Sequence, residues 1–259
     1  MNYYNCYKIR FTPKVENFED HEDHIEIISS YIGALISNGQ IIQETASDVF
    51  FIKDEIFCLV TLIENSAANK ENNNVHVNTY LEKITSFFDV SYEKIAQNAN
   101  FKGHVCNCRR SWFILLNEFQ YKESPVICGD CEGAVPLYRL PKILDSEEHY
   151  DTVNWFSNYK DIKNLWMSSL FDRFTYKQLN DPKSQLAKSG REICNAYEKT
   201  TEKPFYYKLF YTDVMPHKKP VPQNCPLCGE IWEVKSPNFI VDFKCDSCRL
   251  VADKNKFNK

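Results

Sequence analysis

The chain lacks the short motifs that mark the common catalytic classes. There is no phosphate-binding loop, no Gly-x-Ser-x-Gly elbow and no His-Glu-x-x-His pair. The sequence gives no positive ground for catalysis, and the expectation is a protein that is not an enzyme. No apolar run approaches the ~20 residues of a membrane-spanning helix, so no membrane partner is expected. The start, Met1–Arg10, has no basic region followed by an apolar stretch, so no signal peptide is read there. Internal repeats and long low-complexity tracts are missing too. Eleven cysteines in such a chain are read as thiols of a reducing cytoplasmic compartment, where paired cysteines more often bind metal.

What the chain does have is cysteine in a pattern. Cys225-Pro-Leu-Cys228-Gly229 and Cys245-Asp-Ser-Cys248-Arg249 are two Cys-x-x-Cys pairs separated by 16 residues, enough for two short strands and a turn. Four thiolates at this spacing suit one tetrahedral Zn²⁺ in a closed, structural shell. The two-residue spacer folds the chain into a knuckle, so that both sulfurs face one ion. Backbone N–H groups of the knuckle can donate to the thiolates, and Gly229 accepts the positive φ that such a turn needs. Glu230–Val234 and Phe239–Lys244 read as the strands of this ribbon. Trp232, Phe239 and Phe243 have two readings: a face on which unpaired bases stack, or the ribbon's own small core around the metal.

A second cluster is Cys106-Asn-Cys108 with Cys128-Gly-Asp-Cys131, 19 residues apart. A Cys-x-Cys pair has a less standard bite, yet a return of the chain after a strand at Trp112–Leu116 would bring the pairs together around a second Zn²⁺. The alternatives are buried or oxidised thiols, or a redox dithiol at Cys128 and Cys131. Redox pairs sit at helix starts, and Gly133 and Pro136 argue against a helix there. One zinc is expected, and two if this second site closes. Cys6, Cys58 and Cys194 lie in apolar settings and read as core. His21 and His24, beside Asp20 and Asp23, read as a solvated acidic first turn rather than a metal site.

The fold class expected is α+β. The composition, 43% apolar and 14% aromatic over 259 residues, argues for a packed globule. A strand ending at Pro13 comes first, then a helix from about Asn17 to Asn38, with Ile25, Ile28, Ile32, Leu35 and Ile36 on one face. Val49–Ile52 and Ile56–Ile63 read as a hairpin around Lys53-Asp54. A second helix carries Val77, Leu81, Ile84 and Phe88. Residues 1–100 thus form an α/β sandwich. Residues 101–214 form a cysteine-bearing, then helical, region. Pro182 breaks the helical part, Ser184 offers a cap, and Phe205–Tyr211 follows as an aromatic strand. A proline-rich linker, Met215–Gln223, leads to the zinc ribbon at 221–252.

Charge is unevenly spread. From Met215 to Lys259 there are eight Lys/Arg against five Asp/Glu, a balance of +3, while the remainder carries 23 against 30, or −7. A zinc ion with four thiolates contributes −2 and leaves the tail near +1, a small surplus for binding phosphates.

Several stretches resemble an uncharacterised bacterial family described as zinc-ribbon-containing and nucleic-acid-binding. They are Cys128-Gly-Asp-Cys131 running into Val135-Pro-Leu-Tyr-Arg-Leu-Pro141, Leu165-Trp166, Pro204-Phe-Tyr-Tyr207, and the two C-terminal cysteine pairs with Trp232 and Leu250-Val251. The resemblance spans about Cys106 to Val251 and implies a cytosolic zinc protein. Its nucleic-acid label rests on the ribbon itself. On this reading the nucleic-acid contacts are Lys218, Lys219, Lys235, Lys244, Arg249, Lys254 and Lys256, with Trp232 for stacking. The competing expectation is a protein-interaction module, such as an immunity-type protein whose acidic body neutralises a basic toxin.

Overall fold

The computed structural model describes residues 2–14, 22–52, 55–116, 118, 122–144, 146–212, 220–235 and 240–254. It is a mixed α+β structure in which the chain forms two compact units. The first comprises Met1–Asn107, Gln120–Ser124 and Gly133–Tyr150; the second comprises Cys108–Phe119, Pro125–Glu132 and Asp151–Lys259.

The first unit runs β1 (Asn2–Pro13), α1 (Glu22–Ser37), β2 (Phe50–Ile52), β3 (Glu55–Thr61), α2 (Val75–Thr85) and β4 (Phe88–Gly103). Its sheet has the order β2-β3-β1-β4 with every pairing antiparallel. This βαββαβ connection is the ferredoxin-like arrangement. Alternation puts Ile9 and Phe11 of β1 and Ile56, Cys58 and Val60 of β3 into one core with Ile28 and Leu35 of α1 and Val77 and Ile84 of α2. Asn74 caps α2, its side chain accepting from the Val77 N–H at 2.8 Å. The expected hairpin forms as β2 and β3, and Lys53-Asp54 lies outside the described residues. So do Asn17–His21 at the expected start of the first helix. The second helix ends earlier than its apolar spacing suggests. Phe88 starts a strand instead, and β4 has no counterpart in the sequence reading. Its partner β1 lies some ninety residues away, so the pairing leaves no local signature.

The second unit contains β5 (Phe113–Leu115), β6 (Val126–Cys128), α3 (Tyr150–Met167), α4 (Asp172–Asn180), α5 (Gln185–Thr201), β7 (Phe205–Lys208), β8 (Phe243–Cys245) and β9 (Leu250–Ala252). Its sheet order is β6-β5-β7-β9-β8. The inner three strands are parallel to one another, and the edge strands β6 and β8 run against them. Phe205 and Tyr207 face the helices: Phe205 stacks on Tyr197 of α5, and Tyr207 meets Trp155 of α3 edge-on. Ser184 caps α5 as expected, accepting from the Ala187 N–H at 3.2 Å. The helical stretch is broken twice. Pro182 separates α4 from α5, and a corner at Ser168–Phe171 separates α3 from α4.

This topology fixes where chemistry can sit. The C-terminal ends of β6 and β8 and the N-terminal ends of β5, β7 and β9 share one end of the sheet. At the opposite end, Lys208 closes β7, Asp253 follows β9, and Glu118 follows β5. Lys208 Nζ is 2.5 Å from Glu118 Oε1 and 3.3 Å from Asp253 Oδ1, and only 2% of its side chain is exposed.

Among the described residues no helix is long and apolar enough to cross a membrane.

Candidate metal centres

Both cysteine sets converge. The sulfurs of Cys225, Cys228, Cys245 and Cys248 all lie within 4.8 Å of one another, and so do those of Cys106, Cys108, Cys128 and Cys131. Cys228 Sγ is 3.6 Å from Cys245 Sγ, and Cys108 Sγ is 3.5 Å from Cys128 Sγ. A disulfide would need about 2.05 Å, and all eleven cysteines are free thiols. A tetrahedron of Zn–S bonds of ~2.3 Å has edges of roughly 3.8 Å, so the donor set and its spread fit one zinc ion in each tetrad. Among the described residues no other group of three or more His, Cys, Asp or Glu side chains gathers in this way. Of the histidines read as a solvated first turn, His21 lies outside the described residues. His24 packs edge-on to Phe87 and Phe88.

The knuckles repeat one backbone solution. Gly229 has φ +78° and follows Cys228, Glu132 has φ +59° and follows Cys131, and Arg249 has φ +53° and follows Cys248. The Gly229 and Glu132 N–H groups each reach back 2.9 Å to the carbonyl of the first cysteine of their knuckle. Only one of the three positions is glycine, so the sequence marks this turn at Gly229 alone. The two tetrads also share a burial pattern: Cys106, Cys128, Cys225 and Cys245 are buried, Cys108 and Cys228 are exposed, and Cys131 and Cys248 are in between.

Surroundings bias the thiols toward ionisation unevenly. Burial opposes ionisation of Cys225, but the N–H groups of Cys228 and Leu227 and the neighbouring Cys245 and Cys228 thiols outweigh it and hold this thiol below its ordinary value. Burial raises Cys245, and it pushes Cys248 up to about 11. A dication competes with these protons for the sulfurs, so metal binding releases protons and strengthens as pH rises.

Side chains around the knuckles hold them in place. Asp130, inside the Cys128–Cys131 knuckle, accepts from the Ser111 N–H and from Ser111 Oγ, each at 2.6 Å, and lies 3.8 Å from Cys128 Sγ. Trp112 lies flat over Gly129: a Cβ there would come within 2.1 Å of the indole. Asp246, inside the Cys245–Cys248 knuckle, accepts a short hydrogen bond from Tyr206 Oη, and its carboxyl is held below the usual range by that bond and by Lys244. The sequence reading missed Ser111, Trp112, Asp130, Tyr206 and Asp246. One clue was available: each of these two knuckles carries an Asp between its cysteines.

The expected nucleic-acid contacts are placed differently. Trp232 is buried, 2% exposed, with its ring on Phe243 and its Nε1 donating to the Pro222 carbonyl at 2.9 Å. Both ring faces are therefore closed to a base. Lys244 Nζ sits 3.1 Å from Asp246 Oδ1 and 4.8 Å from the ring centres of both Trp112 and Tyr206. Arg249 forks onto Glu198 at 2.6–3.0 Å, which lowers the Glu198 carboxyl below its ordinary range. Lys254 pairs with Glu233. Lys235 is exposed, while Lys218, Lys219, Lys256 and Phe239 lie outside the described residues.

Residues 107–210 match the profile of a domain of unknown function, DUF2310, and residues 218–255 match that of a second domain of unknown function, DUF8594. An uncharacterised protein of Haemophilus influenzae is 29% identical over 252 residues, 90% of this chain and 93% of that protein. A second uncharacterised protein of the same organism is 26% identical over 194 residues, 73% of this chain and 94% of that protein. No solved structure matches the chain. The similarity is thus to uncharacterised proteins, and the nucleic-acid-binding description carried by the motif resemblance has no counterpart among them.

Proposed function

We propose that each tetrad holds one structural Zn²⁺, and that the chain is a non-catalytic protein that works by binding a protein partner. The observation that supports this best is the shared end of the second unit's sheet. Both edge strands, β6 and β8, run into Cys-x-x-Cys knuckles, and a second cysteine pair completes each set. Four thiolates around zinc leave no position for water or substrate, so the metal's contribution is free energy of folding rather than Lewis-acid chemistry. Edge strands of three residues bury little on their own, and a metal crosslink at the end of each offsets that deficit.

Nucleic acid is the weaker partner class on these grounds. The ribbon's tryptophan is inside the core, and Lys244, Arg249 and Lys254 are already committed to acidic partners. A ribbon near +1 has little to release in counterions.

Elemental analysis of protein purified without added metal tests the first part. Two zinc ions per chain are expected, one would remove the second site, and none would overturn the proposal. Titration with single-stranded DNA and RNA at several salt concentrations tests the second. A steep salt slope that Lys235→Glu flattens would replace the protein partner with nucleic acid.

A further inference from the structure

The corner between α3 and α4 is built against local preference. Ser169 has φ +56° and Phe171 has φ +52°, two left-handed residues within three positions and neither of them glycine. A bulky side chain in that region is a genuine outlier, and such strain persists only where surrounding bonds fix it. They do here. The Leu170 N–H donates to the Leu165 carbonyl at 2.9 Å and the Ser169 N–H to the Trp166 carbonyl at 3.0 Å, the pairing of a Schellman turn. The Thr175 N–H then donates to the Phe171 carbonyl at 2.9 Å and starts α4. Beneath the corner Trp166 packs on Tyr176 and Phe210.

This fixed backbone holds large apolar side chains in water. Phe171 is 74% exposed, and Met167, Leu170 and Phe174 are each more than half exposed. A cluster of this size within eight residues marks an interaction site in a soluble surface. One turn along α4 the character changes. Arg173, Lys177 and Lys183, together with Tyr176, Tyr211 and four prolines, line a groove of about 670 Å³. None of these three cations has an acidic partner among the described residues. Asp181, the one carboxylate on the lining, spends Oδ1 on the Lys183 N–H at 2.9 Å.

We infer that the α3–α4 corner and the adjoining basic groove form a docking surface for an acidic polypeptide segment carrying large apolar side chains. The apolar residues of the segment cover Met167, Leu170, Phe171 and Phe174, and its carboxylates meet Arg173, Lys177 and Lys183. Charge complementarity selects the acidic partner. Met167 and Leu170 select polypeptide over nucleic acid, since aliphatic side chains give unpaired bases nothing to stack on. The groove runs up to Pro226, inside the Cys225–Cys228 knuckle, while the apolar corner carries no metal ligand, and the surface supplies the partner class left open above. Zinc content tests the metal reading separately.

The test uses the full zinc-loaded chain against a displayed library of twelve-residue peptides, followed by titration with a synthetic peptide of the selected consensus. Recovered peptides should be rich in Asp and Glu around one or more large apolar residues, and binding should weaken with salt. Arg173→Glu with Lys177→Glu should weaken it at least tenfold, and Phe171→Gly should do the same. Phe171→Gly also separates function from folding. Glycine adopts the left-handed conformation freely, so the thermal midpoint should hold or rise while binding is lost. Recovery of basic or uncharged peptides, binding that ignores these variants, or a midpoint that drops with Phe171→Gly would each overturn the inference. Three other results would also do so: uptake of poly(U) through the same residues, uptake of phosphatidylglycerol vesicles, or a dimer that Phe171→Gly dissolves.

Discussion

Replacing Lys208 with methionine is the sharpest probe of how the second unit is held together. The substitution keeps the length and removes the charge. In the native chain the ammonium faces Glu118 and Asp253 with almost no contact with water. Burial holds the Asp253 carboxyl above the ordinary aspartate value, Lys208 pulls it down, and Glu118 pushes it up. Lys208→Met deletes the largest lowering contribution and leaves only a backbone hydrogen bond to offset burial, so two buried carboxylates remain with no cation beside them among the described residues. Breaking a buried charge pair from one side costs about 3–5 kcal/mol. That loss should appear at pH 7 in urea unfolding followed by tryptophan fluorescence. Trp112, Trp155, Trp166 and Trp232 all belong to the second unit, so the signal reports on it alone. The sign of the pH dependence follows from linkage. A carboxyl whose folded-state pKa is raised binds its proton more tightly in the folded chain. Its stabilising share is present below the unfolded value of ~3.9 and is lost as pH rises through the folded value. The deficit of the variant should therefore be largest at neutral pH and narrow as pH falls toward 4. A loss under about 1 kcal/mol, or one that stays constant with pH, would refute the reasoning, because the triad would then be solvated or already neutral.

Cys228→Ser should disturb more than the ribbon. β8 and β9 continue the sheet through β7, so limited proteolysis should cut within 151–212 as well as near Pro222, and a fragment resistant up to residue 212 would contradict this. Gly129→Ala forces a methyl into the Trp112 ring, and overpacking of this kind costs about 1–3 kcal/mol. Zinc retained per chain after dialysis against a chelator should fall, while Gly33→Ala, with nothing within 4 Å of the added carbon, should leave it unchanged. Trp232→Ala removes a buried indole and should lower stability by about 3–5 kcal/mol in the same fluorescence assay; a surface stacking residue would cost under 0.5 kcal/mol. His149 of the first unit is depressed to about 3, first by burial and then by Lys142. Because its folded value lies below the unfolded ~6.5, the first unit should lose stability as pH falls from 6.5 toward 3. His149→Gln should flatten that slope in hydrogen exchange of amides within β1 and α1.

The sequence alone determined what depends on neighbours along the chain. Cys225-x-x-Cys228 and Cys245-x-x-Cys248 state their ligands because a knuckle is closed within four residues, and Ser184 states a helix start because its side chain reaches only three residues ahead. The β2–β3 hairpin was legible because its turn is local. Tertiary structure decided whatever rests on distant pairing. β4 is a strand because β1 offers it a ladder from the far side of the first unit. The ribbon's last strand, β9, is a strand because β7 lies beside it. Trp232 could have been a platform or a core, since an indole serves both. Only the position of the Phe243 ring and the Pro222 carbonyl settles it as core. Cys106 and Cys108 lacked a standard spacing, and their convergence with Cys128 and Cys131 follows from β5 and β6 pairing antiparallel. The Lys208 triad left no trace in the chain at all, because its three charges sit at or just beyond the ends of β5, β7 and β9, strands brought together only by the sheet. Spacing carries information over a turn of backbone, and beyond that distance the fold itself supplies it.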